Sequence, residues 1–166
     1  MYDDLAVKLL THSTASMAPF SEEEARKLVQ YMHPYTIPAG EWFIVEDERS
    51  DNDFMMLILT GEVVVESSIA EGQTLTVTVL NPGQWVGELG ILDGNPRQAA
   101  CRASDDADVI CAIISRTEMM QLLDAEPRLF GKLAFLLASN VAGYLRNMHQ
   151  RMCRYAEIQN AIRTTL

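Results

Sequence analysis

The central part of the chain, from about residue 35 to residue 115, alternates short runs rich in Val, Ile and Thr with turn signals. The turn signals are Pro38-Ala39-Gly40, Ser50-Asp51-Asn52-Asp53, Thr60-Gly61, Glu71-Gly72, Pro82-Gly83 and Asp93-Gly94-Asn95-Pro96. Between two of them, residues 73–80 alternate polar and apolar side chains, as a half-buried strand does. Several short strands at regular spacing predict an antiparallel sandwich or jelly-roll barrel.

Helix signals flank this central part. Residues 3–11 suit a short helix, and Ser21 with Glu24 has the spacing of a capping box. That second helix should end before Pro34, because the residue before a proline disfavours the helical conformation. A further helix is expected to begin at Ser115. The predicted fold class is therefore α+β, an antiparallel β jelly-roll barrel with short N-terminal helices and a long C-terminal helix.

The long helix is predicted for roughly residues 127–163, with Pro127 in its first turn. Its near-heptad apolar positions are Val141, Tyr144, Leu145, Met148, Met152, Tyr155, Ile158 and Ile162. Arg151 interrupts this seam at a position where an apolar residue is expected. The seam predicts a parallel homodimer, and the alternative is that it packs on its own barrel. We assign residues 1–126 to the helices and barrel, and 127–166 to a lid and dimerisation helix of the same domain.

One segment, residues 86–103, carries the pattern with the most chemical content. Gly87 and Glu88 precede a lone arginine, Arg97, which follows a proline and leads into small residues. A carboxylate accepts hydrogen bonds from ribose hydroxyls, and a guanidinium binds a phosphate through two parallel hydrogen bonds. Backbone N–H groups at small residues let a phosphate oxygen approach closely. The segment predicts recognition of a sugar and an anion together.

This segment resembles the phosphate-binding cassette of the cyclic nucleotide-binding domain family, which includes the catabolite activator protein and the regulatory subunits of protein kinase A. The matching run is Gly87-Glu88-Leu89-Gly90-Ile91, Asp93-Gly94-Asn95, Pro96-Arg97 and Gln98-Ala99-Ala100. Outside it, residues 38–41 resemble the family's first β-turn, 54–65 its strand–Gly–strand hairpin and 80–85 the turn before the cassette. The resemblance covers roughly residues 17 to 160.

The resemblance implies a role for each matching residue. Glu88 would hold the ribose 2′-hydroxyl and Arg97 the cyclic phosphate of cAMP or cGMP. The backbone of the neighbouring residues would complete the cradle: Gly87, Leu89, Gln98 and Ala99. Tyr144 and Leu145 would lie where the long helix meets the base, with Tyr144 stacking on the purine or, equally, packing in the seam. Before ligand binds, Glu88 is expected to pair with Arg97, and Arg97→Ala is expected to leave the fold nearly intact.

Two departures keep other functions open. Many family members have Thr or Ser near the end of the cassette, where this chain has Gln98 and Ala100. A barrel that has lost nucleotide binding and serves as a protein-interaction module is therefore one alternative. The other follows from Leu166, which ends the chain almost directly after the long helix. The chain would then be a stand-alone sensor without a helix-turn-helix, or the regulatory half of a transcription factor.

The sequence gives catalysis and metal binding little support. His12, His33 and His149 fall on no predicted barrel strand, so a His-rich metal centre of the jelly-roll enzymes is not expected. Ser67-Ser68 is interpreted as a turn rather than as a nucleophile. The three cysteines form no metal or disulfide pattern. We predict a protein that is not an enzyme and holds no metal.

Charge and hydropathy bound the partners and the compartment. The net charge is −10, and an acidic body is a poor surface for DNA. Residues 128–166 carry six Lys and Arg against one Glu, which suits a solvated helix face or, alternatively, contact with nucleic acid or an acidic partner. No apolar run reaches the roughly 18 residues of a membrane helix, and the acidic N-terminus lacks a signal-peptide layout. A cytoplasmic sensor that signals to a protein partner is the resulting expectation.

Overall fold

The computed structural model describes residues 2–13, 18–48, 53–70 and 72–165, and the turns predicted at 50–53 and at Glu71 lie partly outside them. The strands are β1 His33–Ile37, β2 Trp42–Ile44, β3 Phe54–Thr60, β4 Val63–Ala70, β5 Gln73–Leu80, β6 Trp85–Val86, β7 Ala100–Ala103 and β8 Val109–Ser115. The helices are α1 Tyr2–Thr11, α2 Glu22–Val29, α3 Glu88–Asp93, α4 Arg116–Ala125 and α5 Pro127–Thr165. The predicted combination of short N-terminal helices, β-structure and a long C-terminal helix is confirmed.

The strands form two antiparallel four-stranded sheets, in the orders β1-β8-β3-β6 and β2-β7-β4-β5. The sheets are joined face to face as a jelly-roll-like sandwich. One apolar cluster, with Ile37, Met56, Ile58 and Cys101 among its members, fills the space between them. This arrangement confirms the predicted fold class, with two separate sheets in place of a closed barrel.

A second apolar cluster lies on the outer face of the first sheet, where the helices cover it. Leu28 of α2, Leu57 of β3 and Leu133 of α5 belong to this cluster. Strand β3 is therefore buried on both faces, with five consecutive buried residues between its two ends. Burial on both faces explains why residues 54–60 read as a continuous apolar run rather than an alternating one.

The segment 54–65 is not the hairpin that the resemblance implies. Strand β3 pairs with β6 and β8, whereas β4 pairs with β5 and β7, so the chain crosses from one sheet to the other. Gly61 makes this crossing in the left-handed conformation, with φ of 79°. A Cβ atom there would lie 2.7 Å from the carbonyl oxygen of Asp108. Glycine is required for conformation and for space alike.

Two smaller predictions, on Ser67-Ser68 and on His33, are wrong. In both cases a strand extends beyond the apolar residues that predicted it. Ser67 and Ser68 lie within β4 and pair with β5, so they form no turn. His33 begins β1 and pairs with Ile113 of β8, so one histidine does lie on a strand. In the part of the chain that the structure describes, no group of three His, Cys, Asp or Glu residues is placed to hold a metal ion.

The predicted helix starts are confirmed in detail. Ser21 and Ser115 each accept a hydrogen bond from the backbone of the glutamate three residues on, and each glutamate returns the bond. Such reciprocal caps satisfy two otherwise unpaired N–H groups at a helix N-terminus. Among the helices of the described residues, none is long and apolar enough to cross a membrane.

Helix α5 changes character along its length. Leu129, Leu133, Leu136 and Leu137 are buried against the first sheet and its helices. Its later apolar residues are largely exposed in the single chain: Leu145, Met148, Met152, Tyr155, Ile158 and Ile162. From Leu145 onward, most of the seam that the sequence predicts is therefore left uncovered by its own sandwich.

Candidate functional site

A cavity of about 590 Å³ lies between the second sheet, the segment from β6 to β7, and α5. The structure brings seven of the residues named for the site in the sequence analysis to its lining: Gly87, Glu88, Leu89, Arg97, Gln98, Ala99 and Tyr144. Leu145, also named for the base, is 62% exposed and is not part of this lining. The remaining lining is largely apolar side chains from both sheets.

Gly87 sets the direction of the chain into the cavity. Strand β6 pairs with β3, and Gly87 then adopts the left-handed conformation with φ of 83° as the N-cap of α3. Glu88 is thereby the first residue of a short helix. The helix ends at Gly94, also left-handed, whose N–H donates to the carbonyl oxygen of Gly90. Asp93 accepts hydrogen bonds from Asn95 and so stabilises the loop that returns Arg97 to α3.

The guanidinium of Arg97 is held by backbone carbonyls, and the residue is buried, at 5% exposure. Its Nη1 donates to the carbonyl oxygen of Gly87 at 2.7 Å, and its Nη2 donates to that of Phe54 at 3.1 Å. The guanidinium also lies over the Phe54 ring, 4.7 Å from its centre. A Cβ atom on Gly87 would come within 2.8 Å of Nη1, and one on Gly90 within 3.1 Å. The glycines of the motif therefore make room for the cation.

These contacts argue against the expectation that Arg97→Ala leaves the fold nearly intact. The backbone of Arg97 is also fixed, since its carbonyl accepts from the N–H of Asp47 and its N–H donates to Glu48. Removing the side chain would leave two carbonyls without these donors and open a void beneath the Phe54 ring. Arg97 is a structural residue as well as a candidate ligand residue.

Glu88 is the second buried charged residue of the site, at 5% exposure. Burial raises the pKa of its carboxyl group, while a hydrogen bond from its own backbone N–H and the nearby Arg97 charge act in the opposite direction. The expected pairing is not formed: the ion pairs of the described residues include none between Glu88 and Arg97. A buried carboxylate of this kind gains from any hydroxyl donor that enters the cavity.

Helix α5 forms the opposite wall. Tyr144, Asn147, Met148 and Arg151 line the cavity at the spacing i, i+3, i+4 and i+7, which is one face of a helix. Burial, and secondarily the charge of Glu88, raises the pKa of the Tyr144 phenol to about 12. Arg151 connects the helix to the second sheet, because its Nη1 donates to the carbonyl oxygen of Val77 at 2.8 Å.

Sequence reasoning missed Asn147 and Arg151 as site residues. A signal was present for Arg151, since it interrupts the apolar seam of α5 at a position that faces the cavity. Met148, which the sequence assigns only to the apolar seam, lines the cavity as well. For Asn147 nothing in the sequence distinguishes it from an ordinary polar position on an exposed helix.

Two side chains of the sheets were also missed. Ser67 of β4 lines the cavity, and its hydroxyl donates to the carbonyl oxygen of Gln98 at 3.4 Å. Ser67 thus supplies a hydroxyl at the end of the cassette. There this chain has Gln98 and Ala100, whereas many family members have Thr or Ser. Cys101 of β7 is buried and lines the cavity too. Burial raises the pKa of its thiol to about 12; the charge of Arg97 lowers this pKa slightly, and the charge of Glu88 raises it.

The sequence profile of the cyclic nucleotide-binding domain family matches residues 35–126, more than half of the chain. The chain belongs to this family. Among solved structures, a cyclic nucleotide-binding domain from Methylobacillus flagellatus KT is 30% identical, with a TM-score of 0.82. That match covers 93% of this chain and 84% of the other. The family assigned by resemblance from the sequence is thus confirmed.

Two further relatives extend the comparison of this cyclic nucleotide-binding domain. The cAMP-activated global transcriptional regulator CRP of Haemophilus influenzae is 29% identical over 144 residues, which are 82% of this chain and 61% of that protein. The chain thus spans less than two thirds of that curated relative. The catabolite activator protein of Thermus thermophilus is 24% identical with a TM-score of 0.69, covering 89% of this chain and 63% of the other, and supports the shared fold.

Proposed function

We propose that this domain binds a purine cyclic nucleotide, cAMP or cGMP, in the cavity between the cassette and α5. The observation that carries the proposal is the convergence on one cavity of a buried carboxylate, Glu88, and a buried guanidinium, Arg97. In the sequence these two residues belong to one segment, and in the folded chain both line one cavity. The predicted cradle residues Gly87, Leu89 and Ala99 line that space with them.

Each group has a defined task in this proposal. The carboxylate of Glu88 accepts a hydrogen bond from the ribose 2′-hydroxyl, which offsets the cost of its burial. Arg97 supplies the positive charge for the cyclic phosphate, and its carbonyl contacts keep the guanidinium in place before the ligand arrives. Backbone N–H groups of the cassette complete the contacts to the phosphate oxygens. Tyr144 covers the ligand from the helix side.

In this proposal, helix α5 transmits the binding of ligand to other surfaces of the protein. Ligand bound between the two walls favours the position of α5 that closes on it, and this selection requires a difference in affinity between two helix positions. The exposed seam of α5 offers a surface for a second copy of the chain and, through the altered dimer, for a protein partner. In this proposal the domain is a cytoplasmic regulator without enzyme activity of its own. Its three cysteines are free thiols, which agrees with a reducing compartment.

A binding experiment tests the proposal directly. Calorimetric titration with cAMP and with cGMP should show saturable binding, and bound nucleotide should raise the melting temperature. Replacing Arg97→Met, which keeps much of the side-chain volume, should weaken binding of both nucleotides by about 30-fold or more. The matched control is Arg26→Met on α2, where an exposed ion pair with Glu22 is lost far from the cavity.

Two outcomes would contradict the proposal. If neither nucleotide binds the unaltered protein, the domain has kept the fold and lost the ligand, and the protein-interaction module becomes the better interpretation. If both bind and Arg97→Met behaves like Arg26→Met, the nucleotide is held elsewhere.

A second candidate, the regulatory half of a DNA-binding regulator, is favoured by the similarity to CRP over 61% of that protein. The reading frame of the gene tests it. A helix-turn-helix encoded after residue 166 would support this role, and a stop codon there would contradict it.

A further inference from the structure

The two sheets of the sandwich differ on their outer faces. Helices cover the outer face of the first sheet, whereas on the second sheet Trp42 is 48% exposed and Val79 is 41% exposed. Consecutive side chains of a strand alternate between its two faces. Phe43 follows Trp42 and packs against the apolar cluster between the sheets, and Leu80 follows Val79 and is buried in the same cluster. Both exposed side chains therefore lie on the open outer face of the second sheet.

The outward residues form one row across all four strands of this sheet. Trp42 of β2 pairs with Arg102 of β7. Arg102 pairs in turn with Val64 of β4, which pairs with Val79 of β5. The chain neighbours of Arg102 and Val64 belong to the inner cluster, so these two side chains face outward as well. We call the four residues the outer stripe; opposed side chains on one face of an antiparallel pair lie side by side.

Carboxylates border the β2 end of the outer stripe. The carbonyl oxygen of Glu41 accepts a hydrogen bond from the N–H of Ala103 on one side of β7. That of Glu62 accepts from the N–H of Ser104 on the other side. Asp105 follows directly after these residues. The side chains of Glu41, Glu62 and Asp105 are all at exposed positions, so the indole of the outer stripe has an acidic border.

The one cation of the outer stripe is already compensated. Arg102 is the single Lys or Arg within the four strands of the second sheet. Its Nε lies 3.5 Å from a carboxylate oxygen of Glu66, and its Nη1 lies 3.3 Å from one of Asp105. Its guanidinium carbon lies 5.8 Å from the centre of the Trp42 ring. With Glu41 and Glu62 beside it, the patch as a whole is negative and attracts cations.

We propose that the outer stripe docks a basic segment of a partner protein, with a lysine or arginine of that segment lying along Trp42. An exposed apolar patch with a polar border is typical of an interaction surface. Charge complementarity identifies the occupant. The methylene stem of a lysine or arginine packs on apolar surface, while its charged end reaches the bordering carboxylates. An indole also attracts a cation to its face.

This surface is separate from the proposed nucleotide site. The lining of the cavity includes none of the four residues of the outer stripe. Trp42 has the property of an interface anchor, since large aromatic side chains contribute most where a partner covers them. The inference therefore goes beyond the proposed function and does not depend on it.

Titration of the complete chain with a short peptide of alternating lysine and leucine, blocked at both ends, tests the inference. The peptide should bind saturably, one per chain, and should protect Trp42 from quenching by acrylamide. Trp85, the other tryptophan, is 2% exposed, so the change in quenching reports on Trp42. A peptide with glutamate in place of lysine should not bind. One with serine in place of leucine should bind more weakly, because it lacks apolar side chains to cover the stripe.

The aromatic anchor is tested by calorimetric titration of three variants. Trp42→Thr should weaken binding of the lysine–leucine peptide by about tenfold or more, since it removes the anchor. Trp42→Phe keeps an aromatic ring and should retain most of the affinity. Tyr35→Thr is the matched control, because Tyr35 is 47% exposed on a strand of the first sheet. Circular dichroism checks that each variant is folded.

The acidic border is tested by a double variant, Glu41→Gln with Glu62→Gln. It should weaken the lysine–leucine peptide several-fold at low salt and by less at high salt, because salt screens exposed charges. The matched control, Glu23→Gln with Asp124→Asn, removes two exposed carboxylates from α2 and α4 and should have little effect.

Several results would overturn the inference. These are the absence of saturable binding, equal effects of Trp42→Thr and Tyr35→Thr, and equal effects of the two double variants. Equal binding of the serine-containing peptide would show attraction by charge alone, which also overturns it. If Trp42→Thr instead converts a dimer into a monomer in sedimentation velocity, a second copy of the chain covers the stripe, and the inference is wrong. The proposed function is tested separately, by nucleotide binding.

Discussion

The two walls of the cavity are built in different ways. On the cassette wall, Glu88 and Arg97 are each 5% exposed, and Arg97 is bonded to two backbone carbonyls. On the helix wall, Met148 is 59% exposed, and α5 is joined to the second sheet by the bond from Arg151 to Val77. Burial and multiple hydrogen bonds make a wall rigid, whereas few buried contacts allow local movement. In the proposed function, the wall that recognises the sugar and phosphate is thus fixed in advance, and the wall that reports binding is the one with fewer buried contacts.

The largest effect is expected when one arginine is removed from each wall and the two losses of stability are compared. Arg97→Ala should lower the free energy of unfolding by about 2–4 kcal/mol in the absence of ligand, because two carbonyls lose their donors and a void opens. Arg151→Ala should change it by less than about 0.5 kcal/mol, as an exposed side chain with one hydrogen bond does. Urea unfolding followed by circular dichroism measures both. Equal losses would show that the helix wall is as firmly built as the cassette wall.

A second test concerns the outer face of the helix wall. Met152 is 67% exposed in the single chain and belongs to the predicted dimer seam, yet it does not line the cavity. Met152→Asp should convert a dimer into a monomer in sedimentation velocity, since two carboxylates would meet across the seam. Gln150→Asp, on the opposite face of α5, is the matched control. Unaltered sedimentation of both variants would mean that the seam has another use.

The smallest effect is expected in the pH dependence of the cassette wall. Burial raises the pKa of Glu88 above its ordinary value, so the folded protein binds this proton more tightly than the unfolded chain does. The stabilising effect of the proton is present at acid pH and is lost as the pH rises from the ordinary value through the raised one. Glu88→Gln removes this ionisation and should melt at a higher temperature than the unaltered protein at pH 7.

The pH series also supplies the control for that variant. The difference between the two melting temperatures should shrink as the pH falls below the ordinary range of a glutamate, near 4. Glu62→Gln, at an exposed position, should show no such trend. A difference that grows toward acid pH would mean that the ionised Glu88 stabilises the empty site.

Local features were predictable from the sequence because neighbours along the chain decide them. The capping boxes at Ser21 and Ser115 depend on a residue three positions away. The cassette is similarly local: Gly87 adopts its left-handed conformation, and Glu88 begins the helix that follows. A contiguous motif of this kind could therefore identify the family and place its candidate site residues on one cavity.

The choice between competing long-range partners was decided by the tertiary structure alone. The sequence suggested that Arg97 pairs with Glu88, yet its guanidinium reaches the carbonyl of Phe54, 43 residues away. Arg151 interrupts a helical pattern in the sequence, and the fold turns it to Val77, 74 residues away, at the rim of the cavity. A charged side chain binds whichever partners the packed fold leaves within reach, and burial sets the energy of each choice. The motif depends on the order of residues along the chain, whereas the packing of sheet against helix determines which groups its charged side chains contact.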